Sequence, residues 1–307
     1  MLNLIGNAPT AWVFAVGVFL MASLDTLTDI SMNAHGLRVQ ELYGRPIFNS
    51  FHGWWSIGAV CGGFIGSAAR QAGIPVWAQC VAATVVFGGM SLGAKTLLLP
   101  GLDHDPQAER SRQQRRRRLP AGIVTRLAAL GLLGASAGLM EDTGSTWGAI
   151  YLDRQFEVIP FVAGMAFVGL QGAQLIGRFT GDALVSRIGP RFAVVQGGII
   201  AFLGMGLSLI WPSPTTAILG FACIGWGVAT AIPSAMHAAD ELPDMNHGDG
   251  LMIVTWMMRI GFFAGPPLIG ALSEATDLRL ALWVVPAFAV VILALSPSLG
   301  RSVGGRR

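Results

Sequence analysis

Apolar residues fill long, nearly unbroken windows along the chain, and polar residues collect in the short intervals between them. A helix rises about 1.5 Å per residue, so about 20 predominantly apolar residues cross roughly 30 Å of hydrocarbon. Nine windows have that character, at residues 11–32, 51–69, 75–97, 121–140, 158–177, 192–211, 216–236, 250–272 and 280–297. Within lipid every backbone polar group needs a partner inside the protein, and a helix provides one for each residue. The pattern predicts an all-α, polytopic helical membrane protein with about nine transmembrane helices.

Composition agrees: 53% of the residues are hydrophobic, 12% are charged, and the mean hydropathy is +0.59. A soluble domain of this length needs a charged surface that this chain cannot supply. The net charge of +3 does not point to nucleic acid, because the basic residues sit in the loops between apolar windows. Cys61, Cys80 and Cys223 each lie inside an apolar window, without a CxxC or a ligand-spaced histidine. That placement argues against a disulfide framework and a zinc site, so no metal or cofactor is expected. HExxH and a Gly-rich phosphate loop with its lysine are absent, so the chain does not read as an enzyme. No Lys or Arg precedes Arg38, so the first window lacks the basic start of a secretory signal and reads as a retained helix.

The chain divides into a partial N-terminal bundle of three spans at 1–100, a basic linker at 101–120, a six-helix bundle at 121–300 and a tail at 301–307. Orientation follows from arginine in the short loops, since basic flanks stay cytoplasmic. Arg38, Arg45, the linker run RSRQQRRRR, Arg178, Arg187, Arg191, Arg301, Arg306 and Arg307 fall on one side; Arg70, Arg154 and Arg279 fall on the other. This asymmetry places Met1 outside and the C-terminus inside. Glycine pairs at four-residue spacing, Gly62 with Gly66, Gly89 with Gly93, Gly134 with Gly138 and Gly261 with Gly265, suit close helix packing or a hinge. Pro266 and Pro267 remove backbone donors inside the eighth window and predict a bend or break there.

Several windows carry polar groups that lipid disfavours. Asp25, Asp29 and Asn33 recur every four residues and share one helix face, drifting about 40° per step. An ionised Asp at a helix centre costs roughly 2.5–3.5 kcal/mol even on a lenient insertion scale, so this stripe faces protein or water. Neighbouring carboxylates repel each other's charge, which suits Asp29 and Asp25 to proton coupling; a hydrated helix end is the plainer alternative. His52 is either a proton relay or a structural histidine, and Trp54 and Trp55 either anchor the interface or stack on a solute ring. Glu141, Asp142 and Trp147 mark the outer end of the fourth window, and Gln171 and Gln174 lie in the fifth. Glu141 and Gln174 are candidate solute contacts. Arg259, one turn beyond Trp256 and about 13 Å along its helix from Gly250, pairs with a carboxylate, binds solute or snorkels.

The string DISMNAHGLRVQELYGRPIFNSFHGWWSIG, from Asp29 to Gly58, resembles the fourth and fifth helices of the major facilitator superfamily, most closely a bacterial branch related to the fucose:proton symporter. GLMEDTGSTWGAIYL resembles that branch's seventh helix and GFFAGPPLIG its eleventh. GRFTGDALVSRIGPR, residues 177–191, resembles the superfamily's cytoplasmic signature loop between the eighth and ninth helices, departing at Ser186 where an Asp is usual. The resemblance makes Gly177, Arg178, Gly181, Asp182, Arg187, Gly189 and Arg191 a gating loop, with Asp182 standing in for the missing Asp. It implies helices four to twelve of the usual twelve, without the first three.

By this resemblance the chain is a secondary transporter of a small polar solute, working by alternating access in the bacterial inner membrane, with protons and the bilayer as its other partners. Asp29 is then the proton-coupling carboxylate, and Asn33, His52 and Trp256 contact the solute. Trp55, Glu141, Gln174 and Arg259 complete the candidate solute site. The alternative is an N-terminally incomplete helical assembly, inactive in transport or serving as an interaction subunit.

Overall fold

The computed structural model describes residues 5–6, 8–44, 48–101, 120–243, 245 and 249–300. The basic linker (102–119) and the tail (301–307) lie outside them, as do the side chains of Glu41, Arg45, His52 and Asp182. All regular structure among the described residues is helical. The elements are α1 (Ala11–Tyr43), α2 (Phe48–Gln71), α3 (Val76–Ala94), α4 (Ala121–Phe156), α5 (Pro160–Ile188), α6 (Pro190–Ile210), α7 (Pro214–Ala229), α8 (Ala231–Asp240), α9 (Asp249–Ala275), α10 (Leu278–Ala281) and α11 (Val284–Leu295). Short 3-10 turns follow α3 and α11. Among the described residues, eight runs are long and apolar enough to cross a membrane, with α7 and α8 forming one run and α10 and α11 another.

Local chemistry sets the boundaries. Pro160, Pro190 and Pro214 open α5, α6 and α7, where a missing N–H costs nothing because the first turn has no intrahelical acceptor. Ser213 and Thr216 form a reciprocal capping box on α7, and Asp277 caps α10 by accepting from the Leu280 N–H at 2.8 Å. Gly44 ends α1 with φ +70°, a left-handed conformation that glycine adopts without strain.

The chain falls into two units. The first comprises Met1–His52 and Ala68–Arg115. Here the Leu99 N–H donates to His35 Nε2 at 3.4 Å and the Arg38 guanidinium donates to the Pro100 carbonyl, tying the segment after α3 to α1. Ser23, Thr26, Thr28 and Ser31 return their hydroxyls to carbonyls four residues earlier, which satisfies them within an apolar helix. Among the described residues, nothing lies within 4 Å of a Cβ on Gly89 or Gly93 of α3, nor on Gly62 or Gly66 of the α2 segment that belongs to the second unit, so neither pair makes a close contact there.

The second unit comprises Gly53–Ser67 and Arg116–Arg307. Its centre is α4, which packs on α5, α8, α9 and α11, while α7 lies between α5 and α6. Leu130, Leu133, Met140, Phe221, Ile224 and Ile269 are fully covered. The other two glycine pairs interlock. A methyl on Gly138 would sit 3.0 Å from the Met258 carbonyl oxygen, and one on Gly261 would run into that of Ala135. Two guanidiniums close the ends: Arg126 Nε donates to Ser298 O at 2.8 Å, and Arg279 donates to the Leu209 and Ile210 carbonyls that end α6, at 2.7 and 3.3 Å.

The structure corrects three boundaries. The fourth window stops at its first carboxylates, but α4 continues to Phe156, because Gly144 and Gly148 pack it against Leu170, Ala166 and Phe221 beyond the polar residues. Pro266 and Pro267 do not break α9, which continues to Ala275. They remove only the donors for the Phe262 and Phe263 carbonyls, and the contact with α4 carries the helix through. The seventh window instead breaks at Thr230, where Pro233 withholds the donor that the Ala229 carbonyl would use.

Candidate functional site

Within the second unit, polar side chains from α2, α4 and α5 meet inside the apolar bundle. Gln171, Gln174 and Arg178 are spaced i, i+3 and i+7 along α5, so they form one stripe. Glu141 comes from the middle of α4 and is 7% exposed; Gln171 is 4% and Gln174 1% exposed. The Arg178 guanidinium and the neighbouring Asp142 carboxylate are both within electrostatic reach of Glu141, and the Gln174 amide lies beside its carboxylate. Neither polar atom of Gln174 makes a hydrogen bond of ordinary geometry, and Gln171 Oε1 has none. Arg178 is anchored from α2: its Nη1 donates to Ser56 Oγ at 2.8 Å, and its guanidinium carbon lies 5.4 Å from the centroid of the Trp55 ring, within cation–π range. Ser56 is buried, whereas Trp55 is 53% exposed.

This cluster places Glu141 away from the helix end assigned to it. Once α4 extends to Phe156, Glu141 sits mid-helix and is covered by α5, which is why it is buried rather than hydrated. Thr143, Trp147 and Tyr151, further along α4, each carry a buried polar atom without a hydrogen bond. Among the remaining candidates, Asp29 and Asn33 are half-buried in the first unit, where Asn33 Nδ2 donates to Asp29 Oδ1 at 3.1 Å. Asp25, one turn earlier, is exposed. Arg259 is half-buried on α9, and Trp256 is 65% exposed. The His52 side chain lies outside the described residues.

The segment expected as a gating loop is helix almost throughout. Residues from Gly177 to Arg187 continue α5, and the only non-helical residue before α6 is Gly189, at φ +84°. The two earlier glycines serve packing. A Cβ on Gly177 would meet Ala229 at 2.6 Å, and one on Gly181 would meet the Thr230 methyl at 3.0 Å, so both let α5 approach the α7–α8 break. Arg178, half-buried, therefore joins the polar cluster, while Arg187 is exposed in the last turn of α5 and Arg191 is half-buried at the start of α6. The i, i+3, i+7 spacing from Gln171 was the available sequence signal for Arg178; Ser56 had none.

Residues 130–300 match the family model of the Major Facilitator Superfamily. The chain belongs to that superfamily. Among its relatives, an uncharacterized transporter, y4wD, of Sinorhizobium fredii is 29% identical over 298 residues, covering 96% of this chain and 76% of the relative. The membrane protein MosC of Rhizobium meliloti is 28% identical over 313 residues, covering 99% and 72%, and an MFS-type transporter of Yersinia pestis is 25% identical over 297 residues, covering 96% and 74%. No solved structure matches. As a member of the superfamily, the protein is a multi-pass membrane transporter. Glu141, Gln171, Gln174 and Arg178 all fall inside the region that the superfamily model covers.

Proposed function

We propose that the protein is a secondary transporter that moves a small polar solute by alternating access, in symport with protons, across the inner membrane of a bacterium. The observation that carries this reading is the cluster of Glu141, Gln171, Gln174 and Arg178. Charged groups inside a membrane bundle cost several kcal/mol, and their presence together with unbonded amides favours a solute path over a purely structural role. Asp29 is the proton-coupling carboxylate, with Asp25 one turn away, a role supported by the resemblance of Asp29–Gly58 to the fucose:proton symporter branch. Asn33 orients Asp29. Solute contacts come from Asn33, His52, Trp55, Glu141, Gln174, Trp256 and Arg259. Met1 lies outside and the C-terminus inside, as the arginine asymmetry favours.

The test is uptake from a defined mixture of polar solutes into liposomes holding the reconstituted chain, with the outside acidified. Accumulation should vanish when a protonophore collapses the gradient. Asp29→Asn keeps the shape of the side chain but cannot cycle a proton, so gradient-driven accumulation should be lost while solute exchange persists. Unchanged proton-driven accumulation in that variant removes the role from Asp29.

A further inference from the structure

Among the described residues, Glu141 is the one acidic or basic side chain that is buried; Asp29 is half-buried and Asp25 exposed. A buried carboxylate is neutralised either by a cation in contact with it or by a proton, because a bare charge is costly where water is excluded. No cation fills that role here. No Lys, Arg or His nitrogen of the described residues comes within 4.0 Å of the Glu141 carboxylate. Arg178, the guanidinium that α5 brings towards it, is engaged with α2 instead, donating to Ser56 Oγ at 2.8 Å and lying over the Trp55 ring. Asp142, half-buried on α4 itself, adds a second carboxylate whose charge opposes an ionised Glu141.

Gln174 suits either form of the acid. It is 1% exposed, lies beside Glu141, and neither of its amide atoms makes another hydrogen bond. Its Oε1 can accept from a carboxylic O–H and its Nε2 can donate to a carboxylate, so turning the amide over serves both states. Resting on the transport reading above, we propose that Glu141 is a second proton-carrying residue, in addition to Asp29: it holds a proton in the conformation described here and exchanges it during the transport cycle, with Gln174 as the hydrogen-bond partner of both forms. The step moves one proton between the Glu141 carboxyl group and water admitted first from one side of the membrane and then from the other. No other bond is made or broken.

Infrared difference spectra of the purified full chain in lipid nanodiscs, taken between neutral and alkaline buffer in H2O and in D2O, report protonated carboxyl groups through their C=O stretch. The wild type should show such a band at neutral pH, and carbon-13 glutamate incorporated into the chain should shift part of it. Glu157, Glu241 and Glu274 are exposed and should not contribute. Glu141→Gln should remove the shifted component, whereas Asp29→Asn and Asp142→Asn should retain it. Glu141→Asp should restore a carboxyl band that no longer responds to the glutamate label, and it carries the assignment alone if Glu141→Gln does not insert. A wild type without a glutamate component at neutral pH, or a component that survives removal of Glu141, overturns the proposal. In the liposome assay above, Glu141→Gln should lose gradient-driven accumulation relative to gradient-free exchange, because a residue that only contacts solute lowers both together. Proton-driven uptake with an unchanged ratio takes the coupling role from Glu141 and leaves the transport reading standing. A correctly inserted wild type that shows the Glu141 band but takes up no solute, with or without a gradient, overturns the transport reading and the coupling role with it.

Discussion

Tyr151 shows how burial and bonding part company at single residues. Its ring is fully covered and meets Phe156 edge-on at 5.6 Å, yet its hydroxyl has no hydrogen-bond partner. A buried polar group without a partner costs about 1–3 kcal/mol, so Tyr151→Phe should keep the ring contact and hold or raise stability by up to about that amount. Thermal unfolding in detergent checks this, and a clear loss of stability would mean that the hydroxyl is bonded, for instance to an internal water. Glu141 and Gln174 were readable as polar residues in or beside apolar windows. That Arg178 joins them was not, because a guanidinium near a basic motif is read first as part of a cytoplasmic loop. Only the covering of α5 by α2, through Ser56 and Trp55, distinguishes the half-buried Arg178 from the exposed Arg187.

Among the helices, the four glycine pairs share one spacing and have different fates. Gly134 and Gly138 on α4 and Gly261 and Gly265 on α9 bring two backbones together, whereas Gly62, Gly66, Gly89 and Gly93 border open space. Gly261→Ala should therefore separate α4 from α9 and cost about 1–3 kcal/mol, as overpacking does. Gly62→Ala meets nothing in this structure and should be neutral, or slightly stabilising through helix propensity. Equal unfolding temperatures for the two variants would contradict the packing described here. The same contact explains α9, whose paired prolines predict a break that the neighbouring helix prevents. Hydropathy set out nine windows, of which eight correspond to runs long and apolar enough to cross a membrane among the described residues, and it placed the end of α4 too early, because it registers the polarity of Glu141 and Asp142 and not the glycines that seat the next turns against α5 and α7.

For the molecule as a whole, the arginine asymmetry predicts which ends face the cytoplasm. Cysteines placed at Asp105 and Asp153 in separate variants should respond differently to an impermeant thiol reagent on intact cells, the first protected and the second labelled; the opposite pattern reverses the topology. Arg279, one of the three arginines on the minority side, caps the carbonyls at the end of α6, so its position serves packing as well as topology. The sequence by itself determined the all-helical membrane class, the number of apolar windows and the kind of polar chemistry they carry. Those properties follow from transfer free energies and backbone hydrogen bonding, which are summed residue by residue along the chain. Tertiary structure alone decided which polar groups are buried together, which glycines touch a neighbour and where helices continue past a carboxylate or a proline. Each of these depends on what a second helix places against the residue, and one chain's local pattern does not contain that partner.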